Sequence, residues 1–214
     1  MIIDHFDKYP LLTQKQIDFE LFKRIFCLVR DKQHITLEGF KEIVAIKSSL
    51  NKGLSEELKH VFPDVTALPR PMFQPTKIFN SHWISGFTSG DGGFLVSIFK
   101  SPTKIGEAVR LSFKITQHNR DEQLMRNLVE FFGVGRYFAE KYEEHGNLLI
   151  TDIEGITNKV IPLLNTYPIL GLKSQDFQDF KKVALLIKNK DHLTKEGLEK
   201  IRGIRAGMNK SRAL

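Results

Sequence analysis

Two stretches of this chain, residues 9–53 and 167–211, repeat one another at a constant offset of 158 positions and without a gap. Eighteen of the 45 paired positions are identical, including the His-x-Thr-x-Glu-Gly segments that begin at His34 and His192. Such duplication predicts two copies of one supersecondary unit, related by approximate twofold symmetry. Any fold proposed for the chain must accommodate both copies.

The first copy reads as helical. Apolar residues recur at helical spacing from Ile17 to Leu28, and Thr36 is a typical start for a second helix. Ser55 opens a short third helix that extends to about residue 61. Residues 63–80 hold four of the eight prolines, which predicts an extended linker.

A glycine-rich stretch at residues 83–94 begins as a short apolar helix and contains one carboxylate, Asp91. Gly86 and Gly90 lie four positions apart, so they leave one helix face bare enough for a second backbone to approach. Asp91 falls at the helix C-terminus, where the dipole disfavours a carboxylate unless a cation offsets it. A divalent metal held by oxygen ligands would do so. From these residues alone, Gly-Asp-Gly is equally well an ordinary turn before a strand.

Alternating polarity follows and predicts two β-hairpins separated by a helix. The predicted strands span residues 94–101, 108–117, 135–142 and 147–152, and the predicted helices span residues 121–132 and 156–164. The order α-β-β-α-β-β-α indicates an α+β fold, in which helices cover one face of a four-stranded antiparallel sheet.

The other face of this sheet would be open to solvent. It is expected to carry, if Val96 and Ile98 point inward, the residues Ser97, Phe99, Ser101, Arg110, Ser112, Lys114 and Thr116. Such side chains reach phosphates and base edges, and a two-stranded ribbon fits the major groove of B-DNA. A plain solvated polar face is the alternative.

The amino-acid composition limits the classes of binding partner and of protein that fit this chain. Lys and Arg exceed Asp and Glu by 32 to 25, which favours an acidic partner, nucleic acid first. The apolar runs are too short to cross a membrane. The single cysteine, Cys27, excludes an intrachain disulfide and a cysteine-based zinc cluster. The sequence contains no phosphate-binding glycine loop and no nucleophile–base pair, so it gives no support to a small-molecule enzyme.

Residues 84–92, Ile-Ser-Gly-Phe-Thr-Ser-Gly-Asp-Gly, resemble position by position the motif that names the LAGLIDADG homing endonucleases. Asp91 falls on the catalytic acid of that motif, whereas Ser89 replaces the earlier acid. The predicted order of elements over residues 80–214 is similar to one complete unit of the family, and residues 1–62 resemble the end of a preceding unit.

The resemblance implies hydrolysis of phosphodiesters in double-stranded DNA. Asp91 and the Gly90 carbonyl would bind Mg²⁺ or another divalent cation, and Gln117 matches a polar residue that orders water near the metal. Lys173 matches the family's active-site lysine. Without the resemblance, Gln117 is an ordinary strand-end residue and Lys173 one of many surface lysines.

The resemblance also implies that the open sheet face reads the major groove, with Arg136 and the loop residues Ser101, Lys104 and Lys141 as further contacts. Gly86 and Gly90 would pack against a second glycine–acid helix. Because family members commonly reside in fungal organellar introns, a mitochondrial location is implied, and intron RNA is a second possible partner.

The duplication further predicts how the chain is divided. Asp91 lies 76 positions before Tyr167, but only eight residues precede the corresponding Tyr9. We therefore expect the C-terminal helices of a truncated first repeat at residues 1–62, a linker at 63–80 and a complete repeat at 81–214.

Three interpretations follow from this division. The chain is a fragment of a longer enzyme; or it pairs with a missing N-terminal half or a second copy through residues 84–91; or it is a non-catalytic nucleic-acid-binding module, such as an intron maturase or a degenerate remnant.

Overall fold

Internal contacts divide the chain into two units, Met1–Pro75 and Thr76–Leu214. The computed structural model describes residues 2–51, 53–71, 73, 75 and 80–212. The predicted linker therefore lies partly outside the described residues. No helix within the described ranges combines the length and apolarity needed to cross a membrane.

The described part of the first unit contains helices and no strand. It consists of α1 (Ile2–Lys8), α2 (Lys15–Arg30), a 3₁₀ turn (Gln33–Ile35), α3 (Leu37–Ser48) and α4 (Glu56–Val61). Its core joins α2 and α3, and Leu68 and Phe73 from the later extended segment pack against that core. In the same segment Arg70 forms an ion pair with Asp18 at 2.8 Å. Leu68, Arg70 and Phe73 thus anchor this segment to the helices of the first unit.

The second unit contains α5 (Ser81–Asp91), β1 (Gly92–Lys100), β2 (Glu107–His118), α6 (Glu122–Phe132), β3 (Arg136–Ala139), β4 (His145–Ile150), α7 (Ile153–Gly155), α8 (Ile161–Thr166), α9 (Lys173–Lys188) and α10 (Lys195–Ala206). Its four strands form one sheet in the order β1-β2-β4-β3, and every neighbouring pair is antiparallel. The predicted α+β architecture is confirmed.

One face of the sheet is buried beneath helices. Alternate residues of β1 and β2 point into the core, among them Phe94 and Phe113, which are completely buried. The Phe94 ring lies 5.3 Å from the rings of both Phe177 and Phe180 of α9, and Phe113 meets Phe132 of α6. The strand alternation read from the sequence therefore determines which face the helices cover.

Element boundaries in the second half of the sheet differ from those predicted. β3 ends at Ala139, and β4 begins earlier than predicted, at His145, because the Glu140 N–H bonds the His145 carbonyl and closes a shorter hairpin. Asp152, expected to end a strand, instead accepts the Gly155 N–H and caps α7. A π-helical stretch, Ile156–Val160, links α7 to α8, ahead of Pro162, which has no N–H to donate.

Candidate functional site

The end of α5 is shaped by Gly92. A Cβ at this position would lie 2.6 Å from the Thr88 carbonyl oxygen, so no larger residue fits without moving the backbone. The chain therefore passes directly from helix to strand, and Asp91 is the last helical residue, exposed to solvent. Its carboxylate lies at the negative end of the helix dipole, where a cation is favoured.

Gln117 reaches Asp91 from β2. In the strand register Gly92 faces Ile115, so Gln117 lies just beyond the helix end. Its Nε2 donates to Oδ2 of Asp91 at 2.6 Å. The amide thus fixes the orientation of the carboxylate, and the amide oxygen can accept a hydrogen bond from water.

Lys173, the first residue of α9, supplies a cation to the same place. Its Nζ donates to the carbonyl oxygens of Gly90 at 2.8 Å and of Thr88 at 3.3 Å. Burial lowers the pKa of Lys173, while attraction to Asp91 and Asp176 opposes that shift. The lysine therefore caps the C-terminus of α5. We refer to Gly90, Asp91, Gln117 and Lys173 together as the Asp91 site.

The Asp91 site offers a divalent metal two hard oxygen donors, the Asp91 carboxylate and the Gly90 backbone carbonyl. Mg²⁺ is commonly bound through one or two carboxylates together with water and substrate phosphates. Within the described residues no group of three or more His, Cys, Asp or Glu side chains could hold a metal ion. The donors fit a magnesium ion that shares its coordination with a phosphate and do not form a closed protein cage.

Four residues beside the Asp91 site were not predicted. His118, Glu143, Glu144 and His145 line an open depression of about 600 Å³ together with Asp91 and Gln117. His118 Nε2 lies 3.5 Å from Glu144 Oε2, and His145 Nδ1 lies 2.9 Å from Glu143 Oε2. These residues meet because His118 pairs with His145 across β2 and β4. That register depends on where the second hairpin turns, which the alternation pattern did not determine.

The open face consists of the side chains on the uncovered side of the sheet. Val96 is buried and Ile98 half-buried, as the predicted alternation requires. Exposed positions are Ser97, Phe99, Lys104, Arg110, Arg136 and Lys141, and half-buried positions are Ser101, Lys114 and Thr116. The Arg110 guanidinium lies 4.9 Å from the Phe99 ring centre, so this cation and this ring form one surface feature.

Ser112 differs from the expectation of a solvated position, because only 8% of it is exposed. It lies mid-strand opposite Leu95, an apolar residue of the open face that the sequence reading omitted. Thr116 is also engaged: its hydroxyl donates to Asn147 at 2.8 Å, and Asn147 donates to Glu140 at 2.7 Å. The centre of the open face is therefore less accessible than its edges.

The face of α5 that bears the motif glycines is uncovered in the described structure. A Cβ built on Gly86 or Gly90 would meet nothing within 4 Å, and both residues are exposed. This bare surface agrees with the spacing argument from the sequence.

Comparison with known proteins identifies this arrangement. The family model described as LAGLIDADG endonuclease matches residues 1–26 and 84–184, which together exceed half of the chain. The chain belongs to the LAGLIDADG endonuclease family. The resemblance read from the sequence is thereby confirmed; its two-repeat form stays a prediction.

Individual LAGLIDADG relatives agree in sequence and in fold. The probable intron-encoded endonuclease 3 of Neurospora crassa is 42% identical over 201 residues, which are 94% of this chain and 38% of that relative. The probable intron-encoded endonuclease 2 of the same fungus is 38% identical and is covered to 45%. The I-SmaMI LAGLIDADG homing endonuclease bound to cleaved DNA superposes with a TM-score of 0.97 at 42% identity, covering 100% of this chain and 71% of that structure. The chain thus spans less than half of either fungal relative.

Proposed function

We propose that this chain acts as a site-specific endonuclease of double-stranded DNA, with the Asp91 site as its hydrolytic centre. The observation that carries this proposal is the convergence of the Asp91 carboxylate, the Gln117 amide and the Lys173 ammonium at the end of the motif helix. A carboxylate that can hold a metal and a cation that can meet a phosphate are what phosphodiester hydrolysis requires.

Roles for these side chains follow from their contacts. Asp91 would hold Mg²⁺, which when bound supplies Lewis acidity and a more acidic water. Gln117 keeps the carboxylate oriented and presents a polar group to solvent. Lys173 places a positive charge where a phosphate would bring negative charge, and the Gly90 carbonyl is a second oxygen beside the metal position.

DNA would lie along the open face. Its proposed contacts are Ser97, Phe99, Ser101, Lys104, Arg110, Ser112, Lys114, Thr116, Arg136 and Lys141. The cations among them suit phosphates and guanine edges in the major groove, whereas the burial of Ser112 limits it to supporting its neighbours. The solved relatives I-SmaMI and I-LtrWI are bound to DNA, which supports DNA as the partner.

A second glycine–acid helix would complete the enzyme at the bare Gly86–Gly90 surface. It would come from a second copy of this chain or from polypeptide outside these residues, such as an N-terminal half, because small residues allow close backbone approach. The relatives named as intron-encoded endonucleases support an origin in an intron, and the mitochondrial location is proposed from the family resemblance.

A second candidate function is nucleic-acid binding without cutting, as in an intron maturase or a degenerate remnant. The replacement of the motif's earlier acid by Ser89 favours it. This candidate predicts affinity for RNA or DNA that falls steeply with salt and does not depend on Asp91.

One experiment separates the candidates. The protein is incubated with a randomised pool of DNA duplexes in Mg²⁺ or in EDTA, and the new ends are sequenced. Endonuclease function predicts ends at one defined sequence in Mg²⁺ alone. Enrichment of duplexes that stay bound to the protein, with no new ends in either condition, contradicts the proposal and supports the binding module.

A further inference from the structure

The connection that carries Lys173 is largely exposed, although the Tyr167 ring at its start packs against His82 of α5. It runs between the end of α8 and the start of α9, and only Ile169 within it is buried. Leu170 is 77% exposed, and Gly171 adopts the left-handed conformation at φ +73°. A lysine side chain has many rotamers and loses entropy when fixed, so something else must hold this connection against α5.

Two serines of α5 form hydrogen bonds that attach the connection to this helix. The Ser85 hydroxyl donates to the Pro168 carbonyl at 2.8 Å, and the Ser89 hydroxyl accepts the Leu170 N–H at 3.3 Å. Ser89 in turn donates to the Ser85 carbonyl at 2.8 Å. Because the serines are four residues apart, they lie on the same helix face. They bind the main chain on both sides of the buried Ile169.

The same helix also receives the ammonium of Lys173 on its last carbonyls. Resting on the proposed function, we infer that Ser85 and Ser89 are positioning residues, which fix the 168–172 connection so that Lys173 reaches the Asp91 site. Ser89 thereby performs an accepting role that a carboxylate at the motif's earlier acidic position could also perform. Serine at this position lacks the charge of the motif's carboxylate but retains a hydrogen-bond acceptor.

Hydrogen exchange tests the contact without any cleavage. In the intact chain the Leu170 amide is expected to exchange about fivefold faster in Ser89→Ala than in the wild type, because one hydrogen bond is lost. Ser89→Asp, which retains an acceptor, should restore protection, and the Leu198 amide of α10 should exchange equally in all three proteins. Equal exchange at Leu170 in the wild type and Ser89→Ala would overturn the inference.

Cleavage kinetics test the route through Lys173. On the DNA identified by sequencing, Ser89→Ala should lower the single-turnover rate constant about tenfold at saturating DNA with unchanged affinity, and Ser89→Asp should restore it. In a Lys173→Ala background the Ser89→Ala change should have no further effect, since coupled residues are not additive. Thr194→Ala is the matched control, because it removes a helix cap in α10 and should leave the rate constant unchanged.

The outcomes are distinguishable. A full additional loss in the Lys173→Ala background, or equal loss in Thr194→Ala, would mean that Ser89 acts through general stability, contrary to the inference. If the wild type cuts no duplex, the proposed function fails, and the exchange at Leu170 alone decides whether the serines hold the connection.

Discussion

The two copies of the repeated unit fold alike but meet different surroundings. α2 and α9 span Lys15–Arg30 and Lys173–Lys188, and α3 and α10 span Leu37–Ser48 and Lys195–Ala206. Both pairs keep the sequence offset of 158 at each end, and so do the 3₁₀ turns between them. The boundaries of these helices therefore do not depend on what the rest of each unit contains.

Local interactions explain this agreement. Thr36 and Thr194 each accept the N–H of the glycine three residues later. A Cβ on Gly39 or Gly197 would lie 2.0 Å from a carbonyl oxygen of the preceding turn, so only glycine fits at either position. These residues are identical in the two copies, and identical local chemistry produces identical helix starts.

Burial shows the opposite behaviour. Phe180 of α9 is completely buried beside Phe94 of the sheet, whereas its counterpart Phe22 of α2 is 47% exposed. The described part of the first unit contains no strand for Phe22 to cover. Lys173 and Lys15 likewise both begin a helix, but in the described structure Lys173 contacts a glycine–acid helix and Lys15 is exposed. The repeated sequence thus determines the helices, and the sheet and α5 determine whether a helix residue is buried or contributes to the Asp91 site.

The largest difference between the two copies is expected for the equivalent lysines, Lys15 and Lys173. Lys173→Ala should lower the DNA cleavage rate about 10²- to 10³-fold, the range for removing one group that stabilises developing charge. Lys15→Ala, its matched control, should cut at the wild-type rate. Single-turnover cleavage measures both. Equal losses in the two variants would refute the assignment of Lys173 to the Asp91 site.

The phenylalanine pair measures the effect of the sheet on stability. Phe180→Ala should lower the free energy of unfolding of its unit by about 3–5 kcal/mol, because a fully buried ring is removed. Phe22→Ala should cost less than about 1 kcal/mol in this chain. Urea unfolding of each variant gives these values. A comparable loss for Phe22→Ala would show that α2 is covered in solution.

The equivalent aspartates of the two copies, Asp18 and Asp176, each form an ion pair with an arginine. Asp18 is paired with Arg70 and Asp176 with Arg212, although the two arginines are not equivalent in the repeat. Replacing either arginine by alanine should lower the free energy of unfolding by about 1–3 kcal/mol, since each leaves a largely buried carboxylate short of a donor. Urea unfolding of the two variants should give similar losses; a loss in only one would mean that the pairs are not analogous.

The helix caps should show the smallest and most equal effects. Thr36→Ala and Thr194→Ala are each expected to cost about 1 kcal/mol. Hydrogen exchange in the first turn of α3 and of α10 measures the change in local opening free energy that each substitution causes. A difference of more than about 1 kcal/mol would contradict the claim that the helix starts are locally determined.

The features of the fold that depend on local pattern can be predicted from the sequence. The helix starts at Thr36 and Ser55, the two long strands and the position of Asp91 follow from caps, alternation and glycine spacing. The roles of Gln117 and Lys173 were implied by family resemblance alone, since nothing local distinguishes them. The pairing of His118 with His145, the burial of Ser112 and the contact of Ser89 with Leu170 all depend on registers and packing between distant segments, which no local pattern records.

The most direct test of Asp91 as the hydrolytic group is cleavage, by Asp91→Asn in Mg²⁺, of the duplex identified by sequencing, with DNA affinity measured in parallel. The substitution keeps the size of the side chain and removes its charge. We predict wild-type affinity and loss of nearly all cleavage. An Asp91→Asn protein that cuts at the wild-type rate would show that the Asp91 site is not the hydrolytic centre.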